Sequence, residues 1–395
     1  MIDKNRVEGD LISIKKVLLP LSWLYGLGVG FRNLLFEMGI LKSRPFTVPV
    51  ISVGNITVGG TGKTPHVEYL VQLLKDQTKV AVLSRGYKRK SHGFVLADNS
   101  STVHDIGDEP YQMKTKFPDI TVAVDRKRTR GIDHLTSGEY VKDIDVILLD
   151  DAFQHRYVKP GINILLVDYH RLIIYDTLLP AGRLREPIKS KDRADIVIVT
   201  KCPKDLKPME FRVITKAMKL YPYQQLFFST HEFGSLRQVF GKDQKPLETI
   251  ADKNVLLLTG IASPEQMQTE LQAYTKAVTP LAFSDHHVFR KKDVEKINEA
   301  FSALPSPKLI VTTEKDETRL LQVEGLSNEV KMHLYALPIK IHILLDQENT
   351  FNQNIISYVR KNSRNSILAE KPNDYKPKDS NRSGDRPRTI SFRNN

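Results

Sequence analysis

A chain of 395 residues with 40% hydrophobic and 27% charged residues has the composition of a folded soluble protein with room for two ordinary domains, which excludes a disordered or fibrous one. Its net charge of +13 calls for a surface that meets an anion: nucleic acid, an anionic membrane leaflet or a phosphorylated substrate. One cysteine, Cys202, excludes an internal disulfide and a multi-cysteine zinc site, and fits a reducing compartment. The first element is an uncharged run from Val17 to Phe31, which carries Pro20 and three glycines and is shorter than the roughly 20 residues that cross a bilayer. No clear cleavage site follows it. Trp23, Tyr25 and Phe31 lie among leucines, and Lys15, Lys16, Arg32, Lys42 and Arg44 stand at the edges. Such a segment suits a helix in a membrane interface, or a helix packed on a core, and on its own it does not choose between them.

Six apolar, β-branched runs follow, at 48–53, 79–83, 120–124, 145–149, 162–167 and 195–199, with helical stretches between them. Continuous rather than alternating apolar character marks strands buried on both faces, hence a doubly wound, mostly parallel, helix-covered α/β sheet. A second set of runs at 254–258, 308–311 and 341–345 follows a region, 211–247, of little periodicity, and predicts a smaller second α/β domain. The expected division is an N-terminal segment 1–40, a first domain 41–205, a second domain 206–360 that contributes to the cleft, and a tail 361–395. That tail carries nine basic residues against four acidic ones and reads as disordered.

After the first strand comes Thr57-Val58-Gly59-Gly60-Thr61-Gly62-Lys63-Thr64, and a helical pattern through Val67, Leu70, Val71 and Leu74 begins at its end. A strand, a glycine-rich loop and a helix in that order make a P-loop: backbone N–H groups surround phosphate oxygens, Lys63 reaches the β and γ phosphates, and the Thr64 hydroxyl ligates Mg²⁺. Thr57 stands where glycine is usual, and Gly59 and Gly60 supply the flexibility. The run Val146-Ile147-Leu148-Leu149-Asp150-Asp151 provides the acid at a strand end that Mg²⁺ needs. Guanine readers carry Asp after Thr/Asn-Lys-x, whereas Thr200-Lys201-Cys202 is followed by Pro203, so ATP is favoured over GTP. Gly107-Asp108-Glu109-Pro110 and Ser284-Asp285-His286-His287 offer carboxylates and an imidazole for proton transfer. Three basic clusters, led by Arg85, Arg126 and Arg183/Arg185, approach strand C-termini, where doubly wound sheets place ligands; facing one crevice, they would funnel anions.

Taken together, Gly54 to Pro65, Leu83-Ser84-Arg85-Gly86-Tyr87, Gly107-Asp108-Glu109-Pro110, Asp150 to His155, Leu179 to Pro187 and Asp285-His286-His287 resemble the tetraacyldisaccharide 4'-kinase family over about residues 15 to 350. The same Thr-led loop occurs in that family, and Ala152 replaces the more familiar glycine. The resemblance implies transfer of the ATP γ-phosphate to the 4'-hydroxyl of a tetraacylated glucosamine disaccharide 1-phosphate, at the cytoplasmic face of the inner membrane of Gram-negative bacteria. It implies catalytic roles for Asp108 as base, His286 as its partner, Lys63 and Asp151, with Thr64, Asp150 and Glu186 on the metal side. Arg85, Tyr87, Arg126 and Arg185 are the expected substrate-binding residues. The expected partners are the lipid and an anionic membrane surface, on which the resemblance implies that the segment 1–40 sits as an interface helix, with no nucleic acid and no obligate protein. The rival reading is a P-loop switch ATPase acting through a protein partner. Val58, where the partitioning type of loop carries lysine, speaks against it, and it leaves Asp108 and His286 unexplained.

Overall fold

The computed structural model describes residues 14–261, 264–275, 277–285 and 287–363. Residues 1–13 of the expected interface segment, most of the expected tail and His286 lie outside them.

All six apolar runs of the first set form strands, because each is buried on both faces. They belong to a nine-stranded sheet in the order Ile339–Ile343, Gln225–Phe233, Ile196–Thr200, Ile162–Asp168, Val50–Gly54, Val146–Asp150, Val80–Ser84, Thr121–Val124 and Val95–Leu96. The seven inner strands pair in parallel, and only the two edge strands are antiparallel. Side chains alternate across the sheet. Ile51, Val82 and Leu148 pack under helix Lys63–Leu74, whose Val67, Leu70, Val71 and Leu74 recur at helical spacing. Val50, Ala81 and Ile147 face the other way, onto Ile132 and Leu135 of helix Arg128–Thr136. The chain winds outward in both directions from Val50–Gly54, so the loop after this strand lies at the switch point of the sheet, where ligands bind.

A second, six-stranded sheet runs Gln244–Lys245, Leu236–Gln238, Leu334–Leu337, Lys308–Thr313, Asn254–Thr259 and Val278–Ala282. Its boundaries differ from the expected ones. The chain leaves the first sheet after Phe233 rather than at 205, and the run placed at 341–345 returns as the edge strand Ile339–Ile343, followed by helix Glu348–Asn362 against the first core. Strand Gln225–Phe233 carries only a short apolar run, Leu226 to Phe228, because Ser229, Thr230 and His231 occupy the rest of its buried centre. Ser229 braces the phosphate loop through His66.

Candidate active site

Gly59 and Gly62 hold φ of +113° and +80°, the left-handed region that glycine tolerates, and Gly62 caps helix Lys63–Leu74. Thr57 needs no such freedom. Its segment is paired in strand fashion, with the Val58 amide donating to Arg183 O (2.8 Å) and the Arg185 amide to Ile56 O (2.7 Å). The replacement of glycine by threonine thus follows from an extended backbone at that position. Asn55 Nδ2 donates across the loop to Thr61 Oγ1 at 2.8 Å. From below, Lys201 Nζ donates to Gly60 O (2.5 Å) and pairs with Asp168 (2.9 Å), and the Thr200 hydroxyl donates to Thr61 O (3.0 Å).

His66 completes this brace. Gly62 O, 2.7 Å from Nδ1, can only accept, so the proton sits on Nδ1 and Nε2 accepts from the Ser229 hydroxyl at 2.9 Å. Burial pushes the His66 imidazole down to about 4, and burial with the neighbouring His66 and Lys201 pushes His231 down to about 3. The sign follows: below the ordinary value of 6.5 the unfolded chain takes up protons that the fold refuses, so stability is full above pH 6.5 and falls toward pH 4. For His66 the shift from 6.5 to about 4 amounts to about 3 kcal/mol. Melting curves from pH 7.5 to 4.5 should show a steeper acid loss in the native chain than in His66→Gln; parallel curves would contradict this.

Two carboxyls at the end of strand Val146–Asp150 have opposite characters. Burial first, then Glu109 and Asp151, push Asp150 up to about 7; its Oδ2 accepts from Ser84 Oγ at 3.4 Å, and its buried Oδ1 has no hydrogen bond. Burial opposes the charge on Asp151 too, but Lys63, Arg185 and Arg128 hold it below the usual range. Lys63 Nζ lies 3.7 Å from Asp151 Oδ1, and Arg185 3.5 Å from Oδ2. Arg128, pushed down to about 10 by burial, donates to the carbonyls of Asp150 (3.0 Å) and Asp125 (2.9 Å).

Two clefts meet over the loop. One, of about 190 Å³, runs from Gly62, Lys63 and Thr64 past His231 and Phe233 to Gln266. The other, of about 740 Å³, is lined by Tyr25, Arg32, Arg85, Tyr87, Arg185 and Glu186. Gly60, Lys63, Glu109, Asp285 and Lys315 line both.

The expected residues Arg85, Tyr87 and Arg185 therefore share one cleft. Arg126 does not join them: it stays exposed just before helix Arg128–Thr136, while Arg128 turns inward and Arg130 pairs with Asp125. Glu186 lines the wider cleft and is buried, its Oε2 accepting from Arg193 (2.6 Å) and its Oε1, 4.0 Å from Arg32, without a hydrogen bond. Asp108 heads helix Asp108–Lys116, and Arg319 of helix Glu314–Leu320 donates to its Oδ2 through Nε (2.9 Å) and Nη2 (2.5 Å). Glu109, next in the chain, is the acid that lines both clefts. His286 lies outside the described residues; His287 pairs with Asp293 at 3.0 Å and stacks on Phe283. Sequence reasoning read Arg128 only as part of the basic cluster 126–130 and Lys201 only as part of the run Thr200-Lys201-Cys202, and missed Lys315 and Arg319. For the last two a signal existed: Thr313-Glu314-Lys315-Asp316 is a charged run at the C-terminal end of a parallel strand, where ligands bind.

Fold and loop define a P-loop nucleotide-binding protein of the doubly wound α/β class. The profile of the family described as Tetraacyldisaccharide-1-P 4'-kinase matches residues 14–360, and the chain belongs to that family. It is 59% identical to a Tetraacyldisaccharide 4'-kinase of Phocaeicola vulgatus over 91% of this chain and 99% of the relative. It is 55% identical to one of Bacteroides thetaiotaomicron over 93% and 99%. Among solved structures, LpxK from Aquifex aeolicus in complex with ATP is similar, with a TM-score of 0.67 and 30% identity over 87% of this chain and 99% of that one.

Proposed function

We propose that this chain phosphorylates the 4'-hydroxyl of a tetraacylated glucosamine disaccharide 1-phosphate with ATP, a step of lipid A biosynthesis. The observation that carries the proposal is the junction of the two clefts. A nucleotide cleft over the P-loop meets a wider, arginine-lined cleft at Lys63, which suits in-line transfer between two ligands. The γ-phosphorus loses its bond to the β-phosphate oxygen and gains one to the sugar oxygen. Asp108, with His286 as partner, takes the hydroxyl proton. Lys63 neutralises charge on the phosphates, and Arg85, Tyr87 and Arg185 hold the acceptor.

Mg²⁺ fits the residues present: Asp150 offers a buried, unpartnered Oδ1 at a strand end beside the loop, and Thr64 stands in the first helical turn. When bound, Mg²⁺ neutralises phosphate charge. Asp151, kept anionic by its cations, holds Lys63 and Arg185 toward the junction.

The membrane partner is supported by helix Leu19–Glu37, which is turned inside out. It buries polar Ser22 and Asn33 and exposes Trp23 (73%), Leu27 (73%) and Phe31 (64%). Its inner face is fixed by polar bonds: the Ser22 hydroxyl to Leu178 O, Tyr25 to Arg185 O and Arg32 to Gln154 O, each 2.9 Å. No helix among the described residues is long and apolar enough to cross a membrane. An exposed apolar stripe flanked by Lys15, Lys16 and Lys42 suits the interface of an anionic leaflet, and we place the chain on the cytoplasmic face of the inner membrane. Replacing Trp23, Leu27 and Phe31 together by Ser should lower sedimentation with phosphatidylglycerol-containing vesicles more than about tenfold. Undiminished sedimentation would contradict it.

For the reaction, labelled ATP and the lipid acceptor in mixed micelles should give labelled lipid. No transfer by the folded chain overturns the proposal.

A further inference from the structure

We propose that Lys315 is a catalytic residue that contacts the phosphoryl group in flight. The inference rests on the transfer reading above and adds a cation from the second sheet. Among the described residues, Lys63 and Lys315 are the cations that line both clefts. They arrive from opposite sides: Lys63 opens the P-loop helix of the nine-stranded sheet, and Lys315 follows strand Lys308–Thr313 of the six-stranded one.

Its backbone is held in place. Thr313 caps the helix, its hydroxyl accepting from the Asp316 amide at 3.0 Å, and Asp316 Oδ2 accepts from the Gly260 amide at 2.9 Å. On either side of Lys315 the same helix is tied to helix Asp108–Lys116 by close ion pairs, Glu314 with Lys116 at 2.8 Å and Arg319 with Asp108 at 2.5 Å. The Lys315 ammonium lies 3.4 Å from Glu109 and 3.9 Å from Asp285, acids that line both clefts with it. Lys63 rests in the same way, 3.7 Å from Asp151. A cation balanced between two acids that both face the cleft junction is placed to turn to a more highly charged ligand there, and a triphosphate is one.

In transfer, negative charge spreads over the three equatorial oxygens of the phosphoryl group, and fixed cations that meet it stabilise the transition state. Lys63 and Lys315 approach that group from the two sheets. Lys315 moves no proton: the hydroxyl proton goes to the base, and the bond broken and the bond formed are those given above.

The test uses the full chain with ATP, Mg²⁺ and the lipid disaccharide in mixed micelles. Lys315→Met should lower kcat on the order of 10²-fold, while the KM for ATP, the affinity for ADP and the melting temperature change little. Lys315→Arg should recover about tenfold over Lys315→Met. Lys315→Cys should be as slow as Lys315→Met and regain rate after alkylation with bromoethylamine, which restores an ammonium; the chain's single cysteine, Cys202, is buried. A native chain that transfers phosphate beside a Lys315→Met variant of similar kcat overturns this inference alone. So does a loss confined to KM and melting temperature that alkylation does not rescue. A native chain that transfers nothing overturns the transfer reading and this inference with it.

Discussion

An Asp108→Ala variant should transfer phosphate about 10³-fold more slowly than the native chain while its affinity for ATP stays nearly the same, as loss of a general base that touches only the acceptor requires. The geometry makes this a sharp test. Gly107 holds φ of +91°, and a Cβ there would stand 2.8 Å from Tyr87 O, so the turn that aims Asp108 and Glu109 is fixed by backbone. Asp108 is then held by Arg319, whose Nη1 in turn donates to Asp316 Oδ1 at 2.9 Å. Glu109 lines both clefts and faces Lys315. Single-turnover rates of Asp108→Ala and Glu109→Ala therefore discriminate between the two acids. Our assignment expects the larger loss of kcat in Asp108→Ala. A near-native Asp108→Ala beside a crippled Glu109→Ala would move the proton to Glu109.

Lys63→Met should cost about as much, on the order of 10³-fold in kcat, and weaken ATP binding as well, because this ammonium meets the phosphates both before and during transfer. Its surroundings sharpen the expectation. Lys63 is the strongest of the cations keeping Asp151 ionised, with Arg185 and Arg128 behind it. Removing it leaves an acid of the junction less well compensated, so the loss should exceed that of a phosphate contact alone. Nucleotide titration with single-turnover kinetics checks both parts. Native kcat with only a raised KM for ATP would reduce Lys63 to a binding residue.

The phosphate loop was legible in the sequence because everything it needs is local: a buried strand, glycines where φ turns positive, and a helix that starts at Lys63. Even its odd residue, Thr57, is explained by an extended backbone paired with 183–185. What failed to show was non-local. Arg319 reaches Asp108 across 211 residues and Lys315 reaches Glu109 across 206, distances at which spacing carries no periodic signal. Strand Gln225–Phe233 was hidden because its centre is polar, and one of those polar residues, Ser229, serves the loop above through His66. In the cluster 126–130 all three arginines read alike in sequence. The start of a helix at Arg128 decides which one turns inward, and Arg126 is left outside the cleft. Glu186 was legible as an acid in a motif, but not its partner Arg193 in the next turn of chain. On its own residues the N-terminal segment was open between core and interface, and the family resemblance favoured the interface. Its burial of Ser22 and Asn33 and exposure of Trp23 support the interface.

The central claim, a kinase that couples ATP to a lipid acceptor, is tested most directly by counting phosphates. ADP formed and lipid phosphorylated are measured together, with and without the disaccharide acceptor, and the product is cleaved to locate the new phosphate. One phosphate on the 4'-oxygen is expected for each ADP, and little ADP when the acceptor is left out. ADP released at the same rate without lipid, with none of the phosphate on the sugar, would contradict it and point instead to a P-loop switch ATPase.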